Sequence, residues 1–165
     1  MIQDPRSPGS SGSAPGQRGA TIEFQKVSKS YGTLTALHEF SLVVQEGEFL
    51  TILGASGSGK STVLNALAGF APASAGDILI EGKSVISQPP EKRNLGMVFQ
   101  NYSLFPHMTV AQNIGFPLRM RGMAKDETAA KVKRALEIVR LDQYGHRMPK
   151  ELSGGQQQRV AFARA

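Results

Sequence analysis

The sequence predicts an α/β fold, with strands in the first part of the chain and helices in the second. Residues 21–27 alternate apolar and polar side chains, as half-buried strands do, and residues 34–44 form a second extended stretch. A glycine-rich segment then separates the apolar run 49–53 from residues 63–68, whose apolar side chains suit a helix packed on a sheet. A strand, a glycine-rich loop and a helix in this order are typical of α/β folds.

The composition is typical of a soluble globular protein of about one domain. The chain has 165 residues, of which 40% are hydrophobic and 19% charged, and its formal net charge is +6. The basic residues are scattered, so the charge does not indicate a nucleic-acid partner. Cysteine is absent from the sequence, which excludes disulfides and thiolate metal sites. No apolar stretch approaches the roughly 20 residues that cross a bilayer, so any membrane role is expected to be peripheral.

Breaker residues and apolar runs predict the remaining elements of the first part. Residues 1–20 are rich in Gly, Pro and Ser and are expected to form a disordered tail. Residues 28–33 and 71–76 are predicted loops. The runs 77–80 and 94–99 are predicted strands, separated by a polar loop.

Two helices are predicted after Gln100. Thr109 is the expected N-cap of a short helix that extends to Ile114. Residues 126–141 are predicted to form a longer helix. Its apolar side consists of Ala129, Val132, Ala135, Leu136 and Val139.

The glycine-rich segment reads GASGSGKST and fits the pattern GxxxxGK[ST], with Gly54, Gly59, Lys60 and Ser61 in the fixed places. By chance this pattern is expected in on the order of 1 chain in 200 of this length. Glycines let a backbone turn tightly and bring successive N–H groups onto a polyphosphate. The segment is therefore predicted to be a phosphate-binding loop, the alternative being a flexible Gly/Ser loop.

Two side chains of this loop have predicted chemical roles. Lys60 is a compact, mobile cation for the β and γ phosphates, and the Ser61 hydroxyl is placed to ligate Mg²⁺. The helix predicted to begin near Lys60 continues through Thr62 and adds the positive end of its dipole.

A second motif, LSGGQ, occupies residues 152–156 and is expected by chance in on the order of 1 chain in several thousand. Ser153 can cap a helix whose glycine-lined N-terminus exposes N–H donors, which makes a second anion site. With the phosphate-binding loop and LSGGQ in this order, residues 21–165 closely resemble the ATP-binding cassette (ABC) ATPases, of which LSGGQ is the signature.

The resemblance implies a fold, cofactors and a site. The fold is a P-loop nucleoside-triphosphatase core with an antiparallel β subdomain over residues 21–100, followed by a helical subdomain over residues 101–165. The cofactors are ATP and Mg²⁺. Two cassettes would pair head to tail, so that Ser153, Gly155 and Gln156 of one close over the γ-phosphate held by the other. Within one chain the implied nucleotide-binding residues are Tyr31, Gly54, Ser56, Gly57, Ser58, Gly59, Lys60, Ser61 and Thr62.

Two further positions match the family pattern. Tyr31 lies where the family places an aromatic ring that stacks on adenine; the alternative is a tyrosine packed on the core. Gln100 lies where the family's glutamine reaches Mg²⁺ and the attacking water. The implied catalytic residues are thus Lys60, Gln100 and, in trans, Ser153, and the implied metal ligands are Ser61 and Gln100.

The resemblance also implies partners. Residues 101–110 place bulky apolar side chains in a loop, which fits a groove for a helix of a membrane permease, although ordinary packing between subdomains is an alternative. With residues 116–122, this stretch resembles the importer ATPases for polyamines, iron or oligosaccharides. Such a subunit lies on the cytoplasmic face of the plasma membrane and works with a second cassette, permease subunits and, indirectly, a solute-binding protein. His107 is expected to be a structural or surface residue.

Family members continue past the signature helix into a strand that ends in Asp and Glu and then to a switch histidine, and the sequence stops at Ala165 before these elements. The chain is therefore expected to be truncated, to lack the usual catalytic base and to be unstable alone. Glu81, Glu91 and Glu151 are expected to be surface charges. Two other functions stay open: a soluble cassette protein of translation or DNA repair, and a fragment that binds a nucleotide without hydrolysing it.

Overall fold

The computed structural model describes residues 20–165, which form two compact units. The first unit ends at Leu95, and the second covers Gly96–Ala165. The predicted tail lies outside the described residues, except for Ala20.

The first unit contains a four-stranded antiparallel sheet with the strand order β2-β1-β3-β4. Its strands are β1 (Ile22–Tyr31), β2 (Leu34–Val44), β3 (Ala75–Ile80) and β4 (Lys83–Ser84). The loop predicted over 28–33 is wrong, because β1 continues to Tyr31 and pairs there with Leu34 across a two-residue turn. Gly32 supplies the positive φ of 58° that this turn requires.

Helix α1 (Lys60–Ala68) packs on this sheet and confirms the helix predicted after the glycine-rich loop. Glycines in the left-handed conformation bound the helix on both sides, at Gly59 and Gly69. The shared core consists of Phe24, Val27, Leu37, Val63, Ala66, Ile78 and Val85. Because residues of α1 belong to this core, the sheet fixes the position of the loop that precedes the helix.

Two predicted strands, 49–53 and 94–99, are not strands in the structure. A strand needs a neighbour to accept and donate its backbone hydrogen bonds, and among residues 20–165 the four-stranded sheet holds neither segment. The side chains of Phe49 and Leu53 are 93% and 86% exposed. An apolar run in the sequence predicts that a segment favours burial, but it does not identify the strand with which that segment would pair.

The second unit is helical, with α2 (Val110–Met120), α3 (Lys125–Ile138) and α4 (Gly154–Arg164). The predicted N-cap Thr109 is confirmed, and α2 runs past Ile114 and through Pro117. The predicted helix 126–141 is α3, which ends earlier because Arg140 adopts a left-handed φ of 56°. The core consists of Val110, Ile114, Val132, Leu136, Leu141, Leu152 and Val160.

The apolar side predicted for α3 is right except at one position. Val132 and Leu136 are buried and Ala135 and Val139 pack against the core, but Ala129 is exposed. Short 3₁₀ turns complete the two units at Pro90–Lys92, Asp142–Tyr144 and Pro149–Glu151. Within residues 20–165, no helix has both the length and the apolar character that spanning a membrane takes.

Candidate functional site

The loop before α1 presents its backbone to solvent in a turn made by glycines. Gly57 and Gly59 have φ values of 81° and 88°, which side chains larger than hydrogen rarely adopt. The turn is closed by a hydrogen bond from the Ser58 N–H to the Ala55 carbonyl at 3.2 Å. No side chain caps the start of α1, so the N–H groups of its first turn face the loop without an intrahelical partner. Such an array of N–H donors is suited to an anion.

Close packing leaves little room for a side chain at two of the motif's glycines. A Cβ atom on Gly59 would lie 3.0 Å from the Ala36 carbonyl oxygen in β2. One on Gly54 would lie 2.7 Å from the Ser58 hydroxyl oxygen. At Gly59 the contact with β2 and the left-handed φ both favour glycine, whereas at Gly54 the Ser58 side chain would have to move.

The Lys60 side chain lies inside the loop. Its Nζ donates to the carbonyl oxygens of Gly54 at 2.8 Å and Ala55 at 2.6 Å, and approaches the Ser58 hydroxyl at 3.3 Å. Ser61 follows in the first turn of α1 and is exposed. The structure thus places the ammonium group of Lys60 against Gly54, Ala55 and Ser58 of the predicted phosphate-binding segment 54–62, in the first unit.

Arg93 holds the opposite end of α1, and the sequence analysis missed it. Its side chain is 5% exposed and donates from Nη1 to the carbonyl oxygens of Ala66 and Leu67, both at 2.7 Å. Burial lowers the pKa of the guanidinium below its usual value, because desolvation disfavours the charged form. Arg93 follows Glu91 and Lys92 in a polar stretch that is typical of an exposed loop, so its sequence context gave no signal that it is buried.

Tyr31 lies at the end of β1, beside the turn of the hairpin, with its side chain 55% exposed. The Nζ atom of Lys29 lies 4.8 Å from the centroid of its ring and donates to the Pro72 carbonyl at 2.6 Å. The alternative of a tyrosine packed on the core is wrong, because more than half of the side chain is open to solvent.

In the second unit, Ser153 caps α4 as the sequence predicts. The Gln156 N–H donates to the Ser153 hydroxyl at 3.3 Å, and the Ser153 N–H donates to the Gln156 side chain at 2.8 Å. A Cβ atom on Gly154 or Gly155 would meet no atom within 4 Å. The start of α4 is therefore held in shape by its own capping box, while its glycines face open space.

Gln100 also lies in the second unit, is exposed, and precedes a strained turn. Tyr102 and Ser103 have left-handed φ values of 60° and 44°. Their carbonyl oxygens accept hydrogen bonds from Arg164 near the end of α4, at 3.1 and 2.6 Å. The pKa of Arg164 is lowered by burial. Arg164 compensates backbone strain of the kind that persists only when neighbours hold it.

The loop after this turn is fastened by Asn113, a second residue that sequence reasoning missed. Asn113 is fully buried on α2, accepts from the Phe105 N–H at 2.8 Å and donates to the carbonyls of Phe105, Met108 and Thr109 at 3.0 to 3.1 Å. The Phe105 ring packs on Phe116, with the ring centroids 4.7 Å apart. A lone asparagine among the apolar positions of a helix was the available signal.

The remaining candidates are surface residues, as predicted. His107 is exposed, and its ring centroid lies 6.1 Å from that of Phe105. Glu81, Glu91 and Glu151 are exposed, and Glu151 accepts from the Met148 N–H at 2.6 Å. In the part of the chain that the structure describes, no three His, Asp or Glu residues gather as a metal site.

Comparison with known proteins gives a family match and close relatives. A family model described as ABC transporter matches residues 37–165. The spermidine/putrescine import ATP-binding protein PotA of Oleidesulfovibrio alaskensis is 52% identical over 144 residues, which is 87% of this chain and 39% of that protein. The protein of the same name from Thermotoga maritima is 44% identical over 147 residues, 89% of this chain and 40% of that protein. The chain thus spans about two fifths of the length of these relatives.

Two solved structures of the ATP-binding cassette MJ0796 have the same fold. Each has a TM-score of 0.79 and 32% sequence identity, over 87% of this chain and 68% of the other. Both are dimeric, and one is a post-hydrolysis state bound to ADP and Pi. The predicted α/β fold of P-loop cassettes and the predicted resemblance are confirmed.

Proposed function

Because the chain belongs to the ABC transporter family, we propose that it is the nucleotide-binding part of an ATPase subunit that drives solute import across a membrane. The observation that carries this proposal is the loop around Lys60. Its left-handed glycines, the uncapped start of α1 and the ammonium group bound to the loop carbonyls together fit the terminal phosphates of ATP.

Within one chain, each proposed contact has a distinct physical basis. The backbone of Gly54, Ser56, Gly57, Ser58 and Gly59 surrounds the phosphates, and Lys60 exchanges its loop carbonyls for phosphate oxygens. The exposed ring of Tyr31 offers a stacking face for adenine.

Mg²⁺ is the proposed metal, with hydroxyl and amide oxygens as ligands. Ser61, Thr62 and Gln100 carry side-chain oxygens of the kind that this hard cation prefers. When bound, the ion neutralises charge that develops on the phosphates. Ser61 and Gln100 are the proposed ligands, and Gln100 would also orient the attacking water.

A second cassette is the proposed partner at the start of α4. Ser153, Gly155 and Gln156 would approach the γ-phosphate of the partner chain and contribute N–H donors at a helix N-terminus. Two observations support this pairing: the open space around the glycines, and the dimeric state of the solved cassettes of the same fold.

The whole protein is proposed to serve spermidine/putrescine import, because the relatives that carry that name are 44% to 52% identical to this chain. Its further partners would then be permease subunits, which contact the loop 101–110, and a solute-binding protein. It would work at the cytoplasmic face of the membrane. Residues 21–100 are the proposed nucleotide-binding core and β subdomain, and residues 101–165 the helical subdomain with the signature.

The direct test measures ATP binding and phosphate release separately on the 165-residue chain. Lys60→Ala removes a charge-assisted contact worth about 1.5–3 kcal/mol, so ATP should bind roughly 10- to 150-fold more weakly. Lys83→Ala, which removes an exposed lysine of the same unit, should bind like the wild type. Equal affinity of the Lys60 and Lys83 variants would refute the proposal. Phosphate release by the wild type would separate hydrolysis from binding alone.

The import role is tested by a chimera. The corresponding segment of the Thermotoga maritima relative is replaced with residues 20–165, and spermidine uptake is measured in cells that lack their own uptake system. Uptake by the chimera and none by its Lys60→Ala form is expected. A chimera that binds ATP but drives no uptake would contradict the import role.

A further inference from the structure

Arg93 binds only backbone carbonyls in the contacts that the structure shows. Besides the carbonyls of Ala66 and Leu67, its Nε donates to Gln88 at 2.9 Å and its Nη2 to Ile86 at 3.4 Å. One guanidinium thus joins the last turn of α1 to the segment that follows β4. A planar fork of five N–H donors can serve four carbonyls at once, which a lysine ammonium cannot do in this geometry.

The end of α1 lacks a cation of its own. The last turn of this helix contains no basic residue, although the carbonyls at a helix C-terminus carry partial negative charge. Arg93 supplies that cation, although it lies 26 positions after Leu67, whose carbonyl it binds. Because the side chain is 5% exposed, water screens this attraction little.

The backbone at the end of α1 is shaped around this guanidinium. Gly69 caps the helix with a φ of 86°, and a Cβ atom there would lie 2.8 Å from the Arg93 Nε and 3.0 Å from its Cζ. The contact needs both the guanidinium of Arg93 and a residue without a side chain at position 69. A substitution of either Arg93 or Gly69 should therefore disturb it.

The C-terminal end of α1, which Arg93 binds, and its N-terminal end, which follows the glycine-rich loop, belong to one short rigid helix. Helix α1 has 9 residues and is therefore about 14 Å long. Its first two residues are Lys60 and Ser61, and its last turn provides the carbonyls that Arg93 binds. A tilt or shift of the last turn moves the first turn and its N–H donors with it.

We propose that Arg93 is a positioning residue for the phosphate-binding loop, which it orients through the C-terminal end of α1. This inference rests on the proposed function, because it takes ATP as the ligand of the loop. A merely structural role would lower the fraction of folded chain. A positioning role lowers the affinity of the chains that are folded.

Isothermal titration of the 165-residue chain with Mg-ATP separates these two effects. The stoichiometry reports the competent fraction, and the dissociation constant reports the affinity of that fraction. Arg93→Met removes all four contacts, Arg93→Lys keeps the charge, and Gly69→Ala displaces the guanidinium. Ile78→Val is the matched control, since Ile78 is fully buried in the same core and lies in β3 rather than α1.

The dissociation constant should rise about tenfold for Arg93→Met and for Gly69→Ala, the usual effect of losing a partner that orients a binding group. Arg93→Lys should lie between Arg93→Met and the wild type, and Ile78→Val should change the stoichiometry alone. A wild-type dissociation constant for Arg93→Lys and Gly69→Ala would overturn the inference, and these two variants decide it even if Arg93→Met does not fold. Failure of the proposed function looks different, because Lys60→Ala would then bind ATP as the wild type does.

Discussion

Asn113→Ala should destabilise the second unit more than any exposed substitution in it. The amide is fully buried, and it supplies the Phe105 N–H with an acceptor at 2.8 Å and three loop carbonyls with a donor. Its one acceptor and two donors amount to about three hydrogen bonds at about 1 kcal/mol each, and the Phe105 N–H left without a partner costs a further share. The expected loss of stability is therefore more than about 3 kcal/mol.

Urea denaturation followed by circular dichroism at 222 nm measures this loss. Helices α2, α3 and α4 have 11, 14 and 11 residues against 9 in α1, so the signal reports mainly on the second unit. Asn113→Asp keeps the shape and the acceptor but places a carboxylate among carbonyl oxygens, and should cost at least as much.

Lys131→Ala is the control for an exposed contact. It removes an ion pair with Glu127 whose side chains are 54% and 56% exposed, and should cost about 0.3–0.5 kcal/mol. If Asn113→Ala costs no more than this control, the hydrogen bonds of the Asn113 amide do not stabilise the loop, and the reasoning is refuted.

Three further outcomes follow from local geometry. Gly76→Ala places a Cβ atom against the carbonyls of the β1 bulge, so the clash and the strain of the left-handed φ should both lower the free energy of unfolding. Gly82→Ala has a similar φ of 71° but meets no atom within 4 Å, so denaturation should show only the strain, about 1–2 kcal/mol. Ser153→Ala should lower the stability of the second unit by about 1 kcal/mol, read as a shift of the urea midpoint. Gly155→Ala should leave that midpoint unchanged or raise it, yet weaken ATP-dependent dimerisation in sedimentation, because its site faces open space.

The parts of the site that were predictable from the sequence are those whose residues are neighbours in the chain. The turn of the glycine-rich loop 54–59 and the N-cap at Ser153 are each built within one short segment, so a fixed spacing of residue types specifies them. Arg93 binds carbonyls of α1, 26 and 27 positions before it, and Asn113 binds carbonyls 4 to 8 positions before it. In both cases the acceptor is a backbone atom that every residue possesses, so no pattern of side chains marks it.

The errors in the predicted strands have two different causes. The bulge around Lys26, with its φ of 49°, shifts the alternation of β1, so the last residues of that strand read as a polar loop. The predictions of strands at 49–53 and 94–99 are wrong for a different reason. Their apolar character is a property of the segment itself, but pairing depends on a neighbour elsewhere in the fold.

The hydrogen bonds that Arg93 and Asn113 donate to backbone carbonyls have an evolutionary consequence. Leu67 and Met108 contribute only their backbone carbonyls to these contacts, so a change of side chain at either residue keeps the hydrogen bond, while the donors Arg93 and Asn113 cannot be exchanged. A deep mutational scan should therefore find tolerance at one member of each contact and intolerance at the other. Methods that infer proximity from correlated substitutions would overlook both contacts, although they hold their loops in place.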